Sequence, residues 1–292
     1  MLVDSDILIA AKATKGRTFM EIMSPQNTRV KEWAGLQEKK HRDKTRKYIV
    51  EGIHLVQEAL QAEADVECLA YDLDKGMPAE LKGLLQAVQG MEVIGVSAAV
   101  IAKCSSTGTP QPVFAIVRKD EQGVETILAQ KDSLVVVLDG LQDPGNVGTI
   151  IRSADAAGAA GVILGQGCAD LYNPKTIRST MGSMFHLPVV EGDLREILPQ
   201  ARERGALLVS TSLQGEESCY EHDFHGSQWL LIGSEGKGIS PETAQMVDKS
   251  IIIPMAGRAE SLNAAMAATI LLFEGMRQRG YPQQINPSHC EL

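Results

Sequence analysis

The chain has 292 residues and a mass of 31.5 kDa, with 44% hydrophobic and 22% charged residues, a formal net charge of −9 and a pI near 5.2. This balance excludes an intrinsically disordered chain, and global acidity by itself speaks against a nucleic-acid binder. No apolar run approaches the ~18 residues a membrane span needs, and Cys68, Cys104, Cys168, Cys219 and Cys290 form no C-x-x-C pair, which excludes the usual zinc frameworks and a disulfide scaffold and fits a reducing, cytoplasmic setting.

Length predicts two domains. Residues 1–22 carry Asp4 and Asp6 ahead of a short apolar run, which is the wrong charge for a signal peptide, and they read as a loose extension. A first domain spans 23–118. Its Arg29–Lys47 stretch holds 8 Lys/Arg against 3 Asp/Glu, a local excess in an acidic protein. Tyr48–Ala62 reads as an amphipathic helix, with strands at Val66–Tyr71, Met91–Val96 and Val113–Arg118. Residues 119–132 are polar with a central glycine and read as a linker.

A second domain spans 133–280. Its first run, Leu134–Leu138, is continuously apolar, the mark of a strand buried on both faces. The spacing predicts a helix over Asn146–Ala157, a strand at 162–165, helical character over Pro174–Met184, a strand at Leu187–Val190 and a helix over Leu194–Arg204. Strands follow at Leu207–Thr211, Trp229–Gly233 and Ser250–Pro254, then a helix from Asn263 to Arg279 rich in Ala and Leu and expected to be deeply buried. Alternating strands and helices imply a mostly parallel α/β sheet, whose ligand sites lie at the carboxyl ends of strands. The tail 281–292 contains Pro282 and Pro287 and reads as loose.

The chemistry should therefore sit in the loops after Leu138, Ile232 and Ile253. The first, Asp139–Thr149, is rich in Gly and Pro and opens a helix with Asn146 as a possible N-cap and Arg152 further on. The second, Gly233–Pro241, is neither G-x-G-x-x-G nor a P-loop, so dinucleotide and Walker sites lack support; Glu235 is either a turn residue or a carboxylate aimed into a pocket. The third ends in Ser261 and Asn263, both good helix caps. His222 and His225 are spaced H-x-x-H with no third ligand evident, and no metal site is expected.

Taken together and in order, N-V-G-T-I-I-R-S-A-D-A-A-G (146–158), G-S-E-G-K-G (233–238) and I-P-M-A-G-R-A-E-S-L-N (253–263) resemble the three signature motifs of the SpoU-type (TrmH-like) RNA 2′-O-ribose methyltransferases of the SPOUT superfamily. The resemblance covers about 134–279. It extends to R-K-Y-I-V-E-G-I-H-L-V-Q-E-A (46–59), which looks like the start of the smaller N-terminal α/β substrate-binding domain many members carry. It implies a C-terminal parallel α/β domain with a trefoil knot, S-adenosylmethionine as cofactor and a homodimer acting on RNA. By position it implies a catalytic and RNA-facing set of Asn146, Arg152, Glu235, Ser261 and Asn263, and a cofactor set of Thr211, Ser212, Gly233, Gly238, Ile253, Met255, Ser261 and Leu262. The auxiliary domain points to ribosomal RNA. The same chemistry on transfer RNA, and a non-catalytic RNA-binding or ribosome-assembly role, are the alternatives. One departure stands out: the family often has a second Ser two residues beyond Asn263, where this chain has Ala265.

Overall fold

The computed structural model describes residues 12–14, 17–87, 90–120, 122–212, 215 and 217–280, and its chain divides into two compact units. The first comprises residues up to 121 together with 169–186; the second comprises 122–168 and the chain from 187 onward. The expected second domain thus lends residues 169–186 to the first unit.

The first unit runs β1 (Lys12–Thr14), β2 (Arg17–Ile22), α1 (Thr28–Gly35), α2 (Lys39–Thr45), β3 (Lys47–Glu51), α3 (Ile53–Gln61), β4 (Val66–Asp72), α4 (Ala79–Ala87), β5 (Glu92–Val96), α5 (Ala98–Cys104) and β6 (Val113–Arg118). Its sheet has the order β1-β2-β5-β4-β6-β3, with β2, β5 and β4 parallel and β6 antiparallel to both β4 and β3. Two corrections to the sequence reading arise here. The expected loose extension ends in a true strand, since β2 pairs with β5 and buries Ile22; residues 1–11 and 15–16 and the expected tail 281–292 lie outside the described residues. The expected helix over Tyr48–Ala62 is a strand followed by a helix. Ile49 and Val50 are β-branched and buried, and Gly52 turns the chain at φ +106, a conformation side chains resist.

The second unit contains α6 (Glu125–Leu128), β7 (Leu134–Asp139), α7 (Pro144–Ala156) and β8 (Gly161–Leu164). The chain then enters the first unit with α8 (Pro174–Thr180) and returns to β9 (Val189–Glu191), α9 (Leu194–Glu203), β10 (Leu207–Thr211), β11 (Glu217–Ser218), β12 (Gln228–Gly233), α10 (Pro241–Ala244), β13 (Lys249–Ile252) and α11 (Ala264–Arg279). The sheet order is β11-β13-β10-β12-β7-β8-β9 and every pairing is parallel. All six residues of β7 are buried, as its unbroken apolar run requires. The stretch read as a linker is only partly one. Ile127 is fully buried in this unit's core, and Gly161 is needed beneath it, because a Cβ there would lie 2.6 Å from the Ile127 side chain.

The excursion 169–186 is built into the first unit. Tyr172 packs on Tyr48 with ring centroids 4.6 Å apart, and Ile177 joins the same apolar cluster. Asp170 meets Arg42, only 2% exposed, at 2.5 Å, while Arg42 also donates to the carbonyls of Leu36 and Gln37. No described helix is long and apolar enough to cross a membrane.

Candidate functional site

Strand register gathers the site. In neighbouring strands Asp139 of β7 lies opposite Gly233 of β12, Leu231 opposite Ser210 of β10, and Thr211 opposite Ile251 of β13. Four parallel strands therefore end side by side, and their following loops emerge together at the carboxyl edge.

After β12 the chain makes a tight turn. The Ser234 N–H donates to the Gly238 carbonyl at 3.0 Å and the Gly238 N–H returns a bond to the Ser234 carbonyl at 2.9 Å. Gly238 holds φ +67, and the turn folds back so closely that a Cβ on Gly233 would sit 2.0 Å from the Gly238 carbonyl carbon. Asp139, nearly buried, accepts from the Ser240 N–H at 2.7 Å and ties the β7 edge to the far side of this turn.

Between this turn, the end of β10 and the loop 253–263 lies a pocket of about 420 Å³. All eight residues expected to hold a cofactor line it: Thr211, Ser212, Gly233, Gly238, Ile253, Met255, Ser261 and Leu262. Sequence reasoning missed Ile232, Ser234, Gly236, Ile252, Ala264 and Ala267, which share the wall. The small side chains in A-A-M-A-A were the available signal for the last two: at Ala264 and Ala267 the helix can border a ligand closely.

Of the expected catalytic residues, Glu235, Asn146 and Asn263 form one connected chain, Ser261 lines the pocket, and Arg152 stands apart. Glu235 lines the pocket and accepts a hydrogen bond from the Asn146 side-chain N–H. Asn146 Oδ1 accepts from Asn263 Nδ2 at 3.1 Å, and Asn263 Oδ1 caps α11 by accepting from the N–H groups of Ala265 (3.0 Å) and Met266 (3.3 Å). A connected chain thus runs from the positive end of α11 through two amides to a carboxylate. Asn146 is not the cap of α7: Asp143 is, accepting from the Asn146 N–H at 2.9 Å, with Pro144 following. That assignment releases the Asn146 side chain to bridge Glu235 and Asn263. Ser261 lines the pocket and caps nothing, whereas Asn263 fulfils its expected capping role.

Arg152 joins neither the chain nor the pocket wall. It lies six residues beyond Asn146 on α7, exposed, and its guanidinium makes no hydrogen bond or ion pair among the described residues. Six residues of helix place it about 9 Å along the axis and about a third of a turn round from Asn146.

Helix α11 is less buried than expected. Ala264, Ala265, Ala268, Leu271 and Leu272 face inward, and Thr269 meets Ser153 of α7 at 2.7 Å, but Met266 is 55% and Phe273 41% exposed. Ala265 is buried and does not line the pocket. Neither histidine of the H-x-x-H pair lines the pocket: buried His222 meets Glu217 at 2.5 Å and His225 meets Asp223 at 2.6 Å.

Comparison with known proteins extends this picture. The family model for SpoU rRNA Methylase matches residues 133–273, and that for an MRM3-like substrate binding domain matches 27–115. The 23S rRNA (guanosine(2553)-2′-O)-methyltransferase RlmP of Bacillus subtilis is 37% identical over 87% of this chain and 98% of its own length. Among solved structures, the SpoU methyltransferase AviRb from Streptomyces viridochromogenes, in complex with AdoMet, superposes with TM-score 0.81 at 34% identity, covering 87% of this chain and 98% of that one. The AdoMet-bound rRNA methyltransferase from Sinorhizobium meliloti superposes with TM-score 0.80 at 35% identity over 89% and 98%. With such identity spanning nearly the whole of both chains, the protein belongs to the SpoU rRNA methylase family.

Proposed function

We propose that this protein transfers a methyl group from S-adenosylmethionine to a ribose 2′-hydroxyl of RNA, with ribosomal RNA as the substrate class. The observation that carries the reading is one arrangement: a pocket of cofactor size whose lining carboxylate, Glu235, is held by the Asn146–Asn263 chain. Ribosomal RNA is supported by the relatives, several of which are named 23S rRNA 2′-O-methyltransferases, and by the match of 27–115 to a substrate binding domain.

The residues present fit the cofactor. About 420 Å³ falls within the range of roughly 300–1,000 Å³ usual for small-molecule sites. Ile232, Ile253 and Leu262 offer apolar walls, the loop backbones offer amides and carbonyls, and Gly233, Gly236 and Gly238 let a ligand approach the main chain. When bound, S-adenosylmethionine supplies a methyl group on a sulfonium centre. The chain's own task is to position a poor nucleophile, and orientation is a large part of such a rate. Glu235 can accept from the ribose hydroxyl, and Asn146 fixes the carboxylate that does so. A guanidinium stays protonated in proteins, so Arg152 serves as a grip for the adjacent phosphate and a stabiliser of developing alkoxide charge rather than as a base. The phosphate or Glu235 takes the proton.

A homodimer is favoured by the exposed Met266 and Phe273, seven residues apart on one face of α11. The C-terminal trefoil knot of the family belongs to the same proposal. A reducing, cytoplasmic setting accords with the free thiols of Cys68, Cys104, Cys168 and Cys219. Because Ala265 lies off the pocket, the missing hydroxyl gives no ground for a non-catalytic role.

The test is transfer of labelled methyl from S-adenosylmethionine to unmodified ribosomal RNA and transfer RNA side by side, mapped by resistance of the methylated linkage to alkali. Label at one alkali-resistant ribosomal site is expected. Label only in transfer RNA overturns the substrate class, and label in neither overturns the activity.

A further inference from the structure

The basic stretch Arg29–Lys47 is a sequence signal that the pocket does not use, and the structure sorts seven of its eight cations into three kinds, the eighth, Arg46, being engaged as well. Some are neutralised by acids: Arg29 is paired with Glu92, Lys47 with Glu67, and outside the stretch Lys119 holds Asp43 at 2.7 Å while Arg118 holds Glu67 at 2.8 Å. One is structural: Arg42 is buried against Asp170 and two backbone carbonyls. The third kind is free. Lys31 on α1 and Lys39, Lys40 and Lys44 on α2 are exposed, and their ammonium groups make no hydrogen bond or ion pair among the described residues. Lys40 and Lys44 stand one turn apart on the side of α2 opposite Arg42, so the buried pair that anchors the helix also turns these amines outward.

The acids of the same segment offset the free lysines only in part. Asp43 is paired with Lys119 and lies within the field of Lys39, while the exposed Glu32 and Glu38 keep their charge, so the four ammonium groups remain in excess. Four solvated ammonium groups on two consecutive short helices, in a chain of net charge −9, form a local positive surface on an otherwise repelling molecule. Lysine is a flexible point charge suited to phosphate, and phosphate contacts carry no sequence information, so the surface should bind backbone without choosing sequence.

We propose that the exposed face of α1 and α2, through Lys31, Lys39, Lys40 and Lys44, is a phosphate-binding surface that holds the sugar–phosphate backbone of the RNA substrate away from the target nucleotide. The proposal rests on the reading of the protein as an RNA ribose methyltransferase. It narrows the RNA footprint of the first unit to one face, and it predicts that affinity rather than chemistry depends on that face.

The experiment uses the full chain and an unmodified ribosomal RNA transcript. The quadruple variant K31A/K39A/K40A/K44A is compared with K75A/K82A, which removes two exposed lysines of the same unit whose ammonium groups make no hydrogen bond or ion pair among the described residues. RNA affinity is measured across a salt series, together with the Kd for S-adenosylmethionine and the KM and kcat for RNA. Each phosphate contact contributes about 0.7–0.9 to the slope of log K against log salt, so the quadruple variant should lose about 3 from that slope and bind at least roughly tenfold more weakly near physiological salt. KM for RNA should rise by a similar factor while kcat and cofactor Kd stay unchanged, and K75A/K82A should behave as wild type. An unchanged slope in the quadruple variant overturns the proposal. So does a loss per lysine in K75A/K82A equal to that in the quadruple variant, which would make the effect one of bulk charge. Weak binding of the wild-type chain to RNA with no salt dependence overturns it as well. Failure of the underlying reading looks different: the wild type would bind RNA with a steep slope and transfer no methyl.

Discussion

Replacing Gly233 by alanine tests the geometry of the pocket directly. An added Cβ would lie 2.0 Å from the Gly238 carbonyl carbon and 2.2 Å from the Ile239 nitrogen. Both neighbours are backbone, so no side chain can rotate away. The turn 234–238 must open, and with it go the two hydrogen bonds of 3.0 and 2.9 Å that close it. Two such bonds are worth about 1 kcal/mol each, and overpacking typically adds about 1–3 kcal/mol. A loss near 3 kcal/mol corresponds to roughly a hundredfold in Kd at about 1.4 kcal/mol per decade. Gly108, an exposed glycine of the first unit, supplies the control, because it does not line the pocket and a Cβ there meets nothing within 4 Å. Calorimetric titration of S-adenosylmethionine into both variants, with thermal unfolding in parallel, should show G233A strongly weakened and G108A near wild type. A G233A Kd within about threefold of wild type, or a G108A as impaired as G233A, would refute the reasoning.

Other consequences can be measured alongside. Asn146→Ala disconnects Glu235 from Asn263 and should lower kcat by about 10²-fold with little change in melting temperature, a pattern that loss of a positioning group produces and loss of fold does not. Asp143→Ala removes the cap of α7 and should cost about 1 kcal/mol, read as a drop of a few degrees in Tm. Arg42→Ala leaves Asp170 buried without its cation and should cost about 3–5 kcal/mol in denaturant unfolding, so charge reversal at Arg42 would report on stability and not on RNA contact. The His222 ring, and then Lys249, hold the Glu217 carboxyl below its ordinary value of 4.5. A depressed folded-state pKa gives stability that is complete above the unfolded value and lost as pH falls through the folded one. Glu217→Gln should therefore flatten the acid limb of a Tm–pH curve below about pH 4.5, and an unchanged limb would remove Glu217 from the account.

The sequence alone determined what short-range chemistry determines. The apolar run of β7 specified a strand covered on both faces, alternation of strands and helices specified the parallel sheet, and the glycines of 233–238 marked a close turn. The three motifs carried the family and, through it, every residue that lines the pocket from the expected cofactor set. Where local signals conflicted, tertiary context decided. Tyr48–Glu51 could read as the start of a helix until β6 provided an antiparallel partner, and only that pairing makes it a strand. Asn146 and Asp143 are equally good caps by type; Pro144 at the first helical position fixed the choice, and the consequence, an Asn146 free to reach residues 89 and 117 positions away, exists only in three dimensions. Arg42 sat in a run of look-alike basic residues. Its burial against Asp170, 128 residues distant, separates it from the four exposed lysines because a buried cation must find its carboxylate and a solvated one need not.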